Sequence, residues 1–386
     1  MVPLLAWSRK NQPAVVKLIR EFVECESPSD SPVDVKWFMD LLVESVADIA
    51  TCRFTDCGAL VCRFKLAGKA NAGKAKKGQL LALGHADTVW PSGTLGTMPF
   101  RRAQGRLWGP GVLDMKAGLA FFIFAMRALV DLDIAAPHEV VLLVNPDEET
   151  GSKASRAGTE ALARKSHAVL VLEPGTGLEG KVKTARKGIG AFTLKVRGVA
   201  AHAGVDFTKG ASAVVELARQ IETIAGFTDI KRGITVNPGV VAGGTRSNVI
   251  AAEAFAVIDI RVPRLADAKA LDRKFRSLKA FDKRCSLELT GGLNRPPMER
   301  GKGVAALFIQ ARRLARELGV TLEESATGGG SDGNFTAALG IPTLDGIGAV
   351  GEGAHAVHES ILIDRIADRV ALLARLAQES AISYTA

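Results

Sequence analysis

Five short segments of this 386-residue chain place imidazoles and carboxylates where apolar runs end. LLALGH at 80–85 closes on His85, with Asp87 two residues further on. GPGVLDMKAG carries Asp114, EVVLLVNPDEE at 139–149 runs into Asp147, Glu148 and Glu149, and AVLVLEP at 168–174 delivers Glu173. The loop GEGAHAVHES offers His355, His358 and Glu359. Imidazole mixed with carboxylate suits divalent metals such as zinc, manganese or cobalt. Two such ions about 3.5–4 Å apart need one bridging carboxylate and roughly two further ligands each. Asp114 as the bridge, His85 with Glu173 on one ion and Glu149 with His355 on the other satisfy that count. Glu148 is then a spare carboxylate beside a ligand, pointing the other way along an extended backbone, as a general base requires. Asp87, on the same side of an extended chain as His85, is placed to orient the imidazole through its second nitrogen. Burying that many acids and imidazoles together is costly without a cation.

The elements that must position these groups read as alternating strands and helices. Residues 80–85, 139–144 and 168–172 are near-continuous apolar strands; KAGLAFFIFAMRALVDL at 116–132 and residues 155–166 are helices. That alternation predicts a parallel or mixed sheet covered on both faces, with ligands outside the carboxyl ends of its strands. From IGAFTLKVRG to RCSLELTGG the order becomes βαββαβ, a small ferredoxin-like unit. Helix and strand alternate again afterwards: 303–318 helix, 320–326 strand, 332–339 helix, 341–345 strand and a C-terminal helix near 362–383. The expected architecture is α/β, with a metal-binding catalytic domain made of residues 1–186 and 299–386 and a second domain inserted at 187–298.

Composition narrows the classes. An apolar content of 47% allows a large core, and no apolar run approaches the roughly 18 residues that cross a bilayer. The opening MVPLLAWSRKNQ is too short and carries its charges on the wrong side for a signal peptide, so a soluble, cytoplasmic enzyme without a membrane partner is expected. Five cysteines, Cys25, Cys52, Cys57, Cys62 and Cys285, argue against a disulfide framework, and those at 52–62 read as thiols in a strand pair. The stretch KLAGKANAGKAKKGQ at 65–79 reads as an exposed loop. Nearly all of the net charge of +9 lies in residues 187–298, where 18 Lys and Arg face 10 Asp and Glu. With 5% aromatic residues and one Tyr, stacking platforms for nucleic acid are hard to build, and steering of an anionic small molecule is the preferred reading.

The segments GHADTVWPSG, GPGVLDMKAG, NPDEETGS, LEPG and GAHAVHES, in this order and spread over the chain, resemble the signature segments of the M20 metallopeptidases. Within them the chain is most similar to the glutamate carboxypeptidases of the carboxypeptidase G2 type. The resemblance implies a mixed-sheet dizinc exopeptidase domain, in which cobalt or manganese can replace zinc, and an inserted ferredoxin-like α+β lid that also forms a homodimer. It implies metal ligation by His85, Asp114, Glu149, Glu173 and His355, with Glu148 as general base and Asp87 beside His85. It also implies a cis peptide after Asp114. In the lid, GVAAHAG implies His202 as a group that holds the tetrahedral intermediate. GTRSNVI and GGLNRPPM imply Asn248 and Arg295 as contacts to the substrate carboxylate. Arg261 in DIRVP matches a further family arginine, and GGGSDGN implies Gly329 and Gly330 in a loop facing the substrate. The implied reaction is hydrolysis of an amide that releases a C-terminal amino acid, glutamate, from an N-acyl or peptidyl conjugate. Acetylornithine or succinyl-diaminopimelate deacylation, dipeptide cleavage and deamination of an aromatic amine are alternatives on the same metal pair.

Two other motifs compete. GGSDG at 329–333 fits the G-x-S-x-G nucleophile elbow, with Asp345 and His355 following in serine-hydrolase order. The spacings of fourteen and ten residues are too short for partners on separate strands. GIGAVG at 346–351 fits G-x-G-x-x-G, but no apolar helix follows it to bind a dinucleotide.

Overall fold

The computed structural model describes residues 3–66 and 78–379. Most of the lysine-rich 65–79 stretch, and residues 380–383 at the end of the expected last helix, lie outside them. The chain divides into two compact units: 1–185 with 300–326 and 331–386, and 186–299 with 327–330.

The first unit begins with α1 (Pro3–Glu24) and α2 (Pro32–Val46). Ser31 caps α2 by accepting the Asp34 amide at 3.4 Å, and Pro32 supplies the preset φ of a first helical turn. The hairpin β1 (Ala50–Phe54) and β2 (Leu60–Phe64) follows, then β3 (Gln79–His85), β4 (Arg101–Ala103), β5 (Arg106–Trp108), α3 (Ala117–Asp131), β6 (Glu139–Asn145), α4 (Arg156–Ala163), β7 (Ser166–Val171) and β8 (Val182–Arg186). Cys52 and Cys62 face each other across the hairpin with sulfurs 2.9 Å apart, both free thiols.

The second unit carries β9 (Gly188–Arg197), α5 (Ala213–Ala225), β10 (Thr235–Gly243), β11 (Glu253–Val262), α6 (Leu265–Arg276) and β12 (Ser286–Arg295). Its antiparallel sheet runs β10-β11-β9-β12, the strand order of a ferredoxin-like βαββαβ unit. Phe192, Ile258, Leu217 and Phe275 pack its core, inside-facing residues alternating along β9 and β11. The last strand extends three residues further than the apolar pattern predicts, through a register shift after Leu293, so Arg295 sits in the sheet and not in a loop.

The chain then completes the first unit with α7 (Lys302–Glu317), β13 (Glu324–Thr327), α8 (Gly333–Ala338), β14 (Thr343–Leu344), β15 (Gly351–Glu352), β16 (Ser360–Leu362) and α9 (Ile366–Gln378). Its main sheet runs β1-β2-β6-β3-β7-β14; β3, β6, β7 and β14 are parallel, β2 is antiparallel to β6, and β1 is antiparallel to β2. Strand periodicity explains why both faces are apolar. Leu80, Ala82, Leu142 and Leu170 face the large core under α1, α3 and α9, while Leu81, Leu83, Val141 and Val169 face the smaller one with Ala163 of α4. From Ala117 to Met126 helix α3 is apolar all round because it is buried all round; its charged residues, Arg127 and Asp131, come only towards its C-terminal end. A Cβ on Gly118 would lie 2.1 Å from the Leu172 carbonyl oxygen, so glycine is what lets the first turn of α3 approach the end of β7.

The mixed α/β sheet with an inserted α+β unit thus follows the expected class. The short elements do not follow in detail. The expected strands at 320–326 and 341–345 shrink to Glu324–Thr327 and Thr343–Leu344, and the helix expected over 155–166 stops at Ala163 because Ser166 already pairs in β7.

Candidate metal centre

Because β3, β6 and β7 are parallel and in close register, their carboxyl ends open at one edge. His85 ends β3 opposite Asn145, which ends β6, and the Ala86 amide donates to the Asn145 carbonyl at 2.8 Å. Asp147, Glu148 and Glu149 follow Asn145, and Glu173 follows β7. The segment 112–116 leads into α3 and turns Asp114 towards the same edge, with the expected cis peptide between Asp114 and Met115. His355 arrives from the loop between β15 and β16, on a left-handed backbone at φ 61° that non-glycine residues rarely adopt.

Asp114 divides its carboxylate between two clusters. Oδ1 lies 3.2 Å from His85 Nε2, which is 3.5 Å from Glu173 Oε1. Oδ2 lies 3.3 Å from His355 Nε2, which is 3.3 Å from Glu149 Oε1. One ligand atom each from His85, Asp114 and Glu149 falls within 4.8 Å of the others. Nitrogen and oxygen donors about 2.0–2.1 Å from a tetrahedral ion stand about 3.3 Å from one another, which is the spacing within both clusters. The residues therefore fit two divalent ions sharing Asp114.

The supports are equally specific. His85 Nδ1 lies 2.9 Å from the Asp87 carbonyl and 3.5 Å from its Oδ1, leaving Nε2 for the cluster. The Asp87 carboxylate, fully buried, accepts the amides of Glu148 and Glu149 at 3.1 Å each and the Ser29 hydroxyl at 2.9 Å. Its closest contact to the imidazole is thus through the main chain, and its side chain holds the Glu148–Glu149 turn. Asp147 is engaged elsewhere: it accepts the Ala154 amide and the Ser155 hydroxyl in the turn that leads into α4. Behind that turn, buried Asp332 accepts from Asn145 Nδ2 at 2.6 Å and from Ser152. Glu359 is buried and takes four donors, the amides of Gly111, Leu113 and Asp114 and the Trp90 indole.

The electrostatics follow from this crowding. Burial alone would push His85 down, but Asp114, Asp87 and Glu173 hold it well above the ordinary imidazole range. Asp114 and Glu149 lift His355 to about 10. Burial would raise Asp114, yet its two imidazole partners hold it below the usual carboxylate range, while burial keeps Glu149 raised. Glu359 is pushed up to about 7 by burial, against the pull of its amide donors. Without a cation, protons partly compensate the acids; a divalent ion does the same work with directional bonds.

The remaining expected residues lie in the second unit. His202 is exposed and accepts the Gly204 and Val205 amides on Nδ1 at 3.1 and 3.2 Å, which leaves Nε2 carrying the proton in the neutral ring. Its backbone pairs with Val249 next to Asn248, whose carbonyl accepts the Ala203 amide. Arg295 is buried beside Gly330, where a Cβ would come within 3.0 Å of its Cδ. Arg261 forms a two-pronged pair with Asp259 at 2.9 and 3.2 Å. Arg186 donates to the carbonyls of Gly329 and Gly330 at 3.2 and 2.9 Å and so shapes that loop. Neither Arg186 nor the Glu359 cluster carries a sequence signal beyond its neighbourhood to a motif. His358 is exposed beside the Gly353 turn. Ser331, the rival nucleophile, is fully buried and gives its proton to Asp345 Oδ2 at 2.5 Å, so it cannot meet a substrate.

A mixed sheet whose strand ends and neighbouring loops gather two imidazoles and two glutamates around one shared aspartate is the frame of a metal-dependent hydrolase. Residues 81–379 match the peptidase family M20/M25/M40, and the chain belongs to that family. It is 28% identical over 372 residues to carboxypeptidase G2 of Pseudomonas sp. (strain RS-16), covering 95% of this chain and 89% of that one. It is 27% identical over 315 residues to succinyl-diaminopimelate desuccinylase of Dechloromonas aromatica (strain RCB), covering 77% and 82%. The fold matches the crystal structure of aminopeptidase PepT from Bacillus cereus ATCC 10987 with a TM-score of 0.78 at 23% identity, over 95% of this chain and 98% of that one. No helix among the described residues is long and apolar enough to cross a membrane.

Proposed function

We propose that this M20 hydrolase is a dizinc carboxypeptidase that cleaves the amide between an acyl or peptidyl group and a C-terminal amino acid, preferentially glutamate. The observation that carries the reading is Asp114 sharing its two oxygens between a His85–Glu173 and a His355–Glu149 cluster. Those five residues would hold the ions, which when bound supply Lewis acidity to the scissile carbonyl and the attacking water. Glu148 removes a proton from that water as its oxygen joins the carbonyl carbon. It then delivers the proton to the amide nitrogen as the C–N bond breaks. Asp87 fixes Glu148 and Glu149 through their amides.

The second unit serves in this reading as lid and dimerisation domain. His202, whose Nδ1 already accepts two amides, uses its Nε2 proton to stabilise the tetrahedral oxyanion. Asn248 and Arg295 take the terminal carboxylate, with Arg261 and the Gly329–Gly330 loop completing the binding surface, and the basic bias of this segment favours an anionic substrate. Strand β10 is an edge of its sheet, with Val240 and Val241 exposed, which supports pairing with a second copy.

The desuccinylase relative supports a second reading, in which the anionic group belongs to a succinyl moiety. The test is hydrolysis by zinc-loaded protein of benzoyl-glutamate, folate, N-acyl-aspartate, acetylornithine, succinyl-diaminopimelate and aminobenzoates, read by mass spectrometry. Release of glutamate from aroyl or peptidyl conjugates is expected. Cleavage confined to succinyl or acetyl groups, or release of ammonia, would replace the substrate class.

A further inference from the structure

Glu359 lies four residues after His355, on the last turn before β16. Register explains where its side chain goes: Ser360 pairs with Trp108 of β5, so Glu359 is set beside the segment that follows β5, and its carbonyl accepts the Gly109 amide at 3.4 Å. Its carboxylate then enters the loop 111–114. Oε1 accepts the Leu113 amide at 2.8 Å and the Asp114 amide at 3.0 Å; Oε2 accepts the Gly111 amide at 2.9 Å and Trp90 Nε1 at 2.8 Å. Both oxygens are thus saturated by donors, three of them main-chain amides in the four residues that end on Asp114. The Glu359 amide itself donates to Ala356, next to His355.

We propose that Glu359 is a positioning residue that fixes the Asp114 backbone and the His355 loop to each other, setting the shared carboxylate between the two metal positions. This rests on the reading of those clusters as a metal pair. The chemistry of the acceptor makes the role specific. Each oxygen receives two N–H groups, and a glutamine offers one acceptor oxygen and one NH2, so two donors would face another donor. The loop must then move, and Asp114 moves with it. Outer partners of metal ligands commonly carry 10- to 100-fold in metal affinity.

The test is titration of the metal-free full chain with Zn2+ and Co2+, comparing wild type with Glu359→Gln, Glu359→Asp and a matched control, Glu216→Gln. Glu216 is another buried carboxylate, accepting the Phe281 and Asp282 amides in the second unit, and it belongs to no part of the metal centre. Glu359→Gln is expected to weaken at least one ion about 10- to 100-fold and to change the Co2+ absorption spectrum. Glu359→Asp, which keeps the charge but withdraws it by one methylene, is expected to fall in between and provides the reading if the glutamine variant does not fold. Glu216→Gln is expected to keep both affinities and the spectrum. A folded Glu359 variant with wild-type affinities and spectrum overturns the proposal, as does an equal metal loss in Glu216→Gln. Failure of the wild-type chain to take up either ion overturns the metal centre itself, before any variant is compared.

Discussion

Asp87 Oδ1 accepts the backbone amide of Glu148 at 3.1 Å, so a residue just beyond the β3 histidine also anchors the candidate base in the turn that follows the neighbouring strand β6. Its other oxygen holds Glu149 in the same way. Asp87→Ala therefore removes two acceptors at once and leaves the half-buried Glu148 and Glu149 amides without them. Glu148 and Glu149 lose their fixed directions together. The expected result is a drop in kcat of about 10- to 100-fold with weakened metal uptake. Unchanged values in steady-state kinetics at saturating zinc and in metal analysis would show that Asp87 has no positioning role at this site.

Glu148→Gln separates the base from the ligands. The substitution keeps size and hydrogen bonding but cannot take a proton, and Glu148 is not among the five cluster residues. Metal content should match wild type while kcat falls by about 10²–10⁴, the usual contribution of a positioned acid–base group. Elemental analysis with single-turnover kinetics reads both quantities on the same sample. Wild-type turnover would remove Glu148 from the mechanism.

The candidate centre was legible because open α/β sheets put functional groups at strand ends, and apolar strands such as LLALGH mark their own ends. His85, Asp114, Glu149, Glu173 and His355 could be chosen by residue type and place in such runs. What lay beyond reach was contact created by register between distant strands. Nothing in GAHAVHES tells that Glu359, not His358, turns inward; that follows from Ser360 pairing with Trp108 some 250 residues earlier. Arg186 was equally hidden, since its partners are carbonyls of a glycine loop, and any sequence has carbonyls. The extra length of β12 was missed because Gly291 and Gly292 interrupt the apolar alternation that marks a strand.

Metal uptake should rise with pH and release protons. In the metal-free protein His355 sits at about 10 and His85 is held well above the ordinary imidazole range by its carboxylate neighbours, so binding an ion must displace protons held by these imidazoles. The apparent affinity is expected to strengthen as pH climbs from 6 towards 9, and calorimetry in buffers of different ionisation enthalpy should register proton release. A pH-independent affinity would contradict the assignment of these imidazoles as ligands. The same linkage predicts stabilisation: free metal at about 100 times its dissociation constant adds about 2.7 kcal/mol to folding stability, visible as a Tm that falls on chelation and returns with zinc.

The proposed role of Arg295 as the contact to the substrate carboxylate makes substrate class testable. It lies buried at the end of β12 against Gly330, in a loop whose carbonyls Arg186 fixes, so its guanidinium is held with little freedom. A planar fork suits a carboxylate with two parallel hydrogen bonds, and lysine offers only a point charge. Hydrogen bonds to a charged group contribute about 1.5–3 kcal/mol, or roughly 10- to 150-fold in binding. Arg295→Lys should therefore raise KM for benzoyl-glutamate by about that factor while kcat stays within a few-fold, because the contact is made equally before and during the reaction. The α-methyl ester of the substrate provides the control: wild type should bind it as poorly as the variant binds the acid, and the variant should not discriminate between them. Equal discrimination in both proteins would move the carboxylate to another residue, with Asn248 the next to substitute.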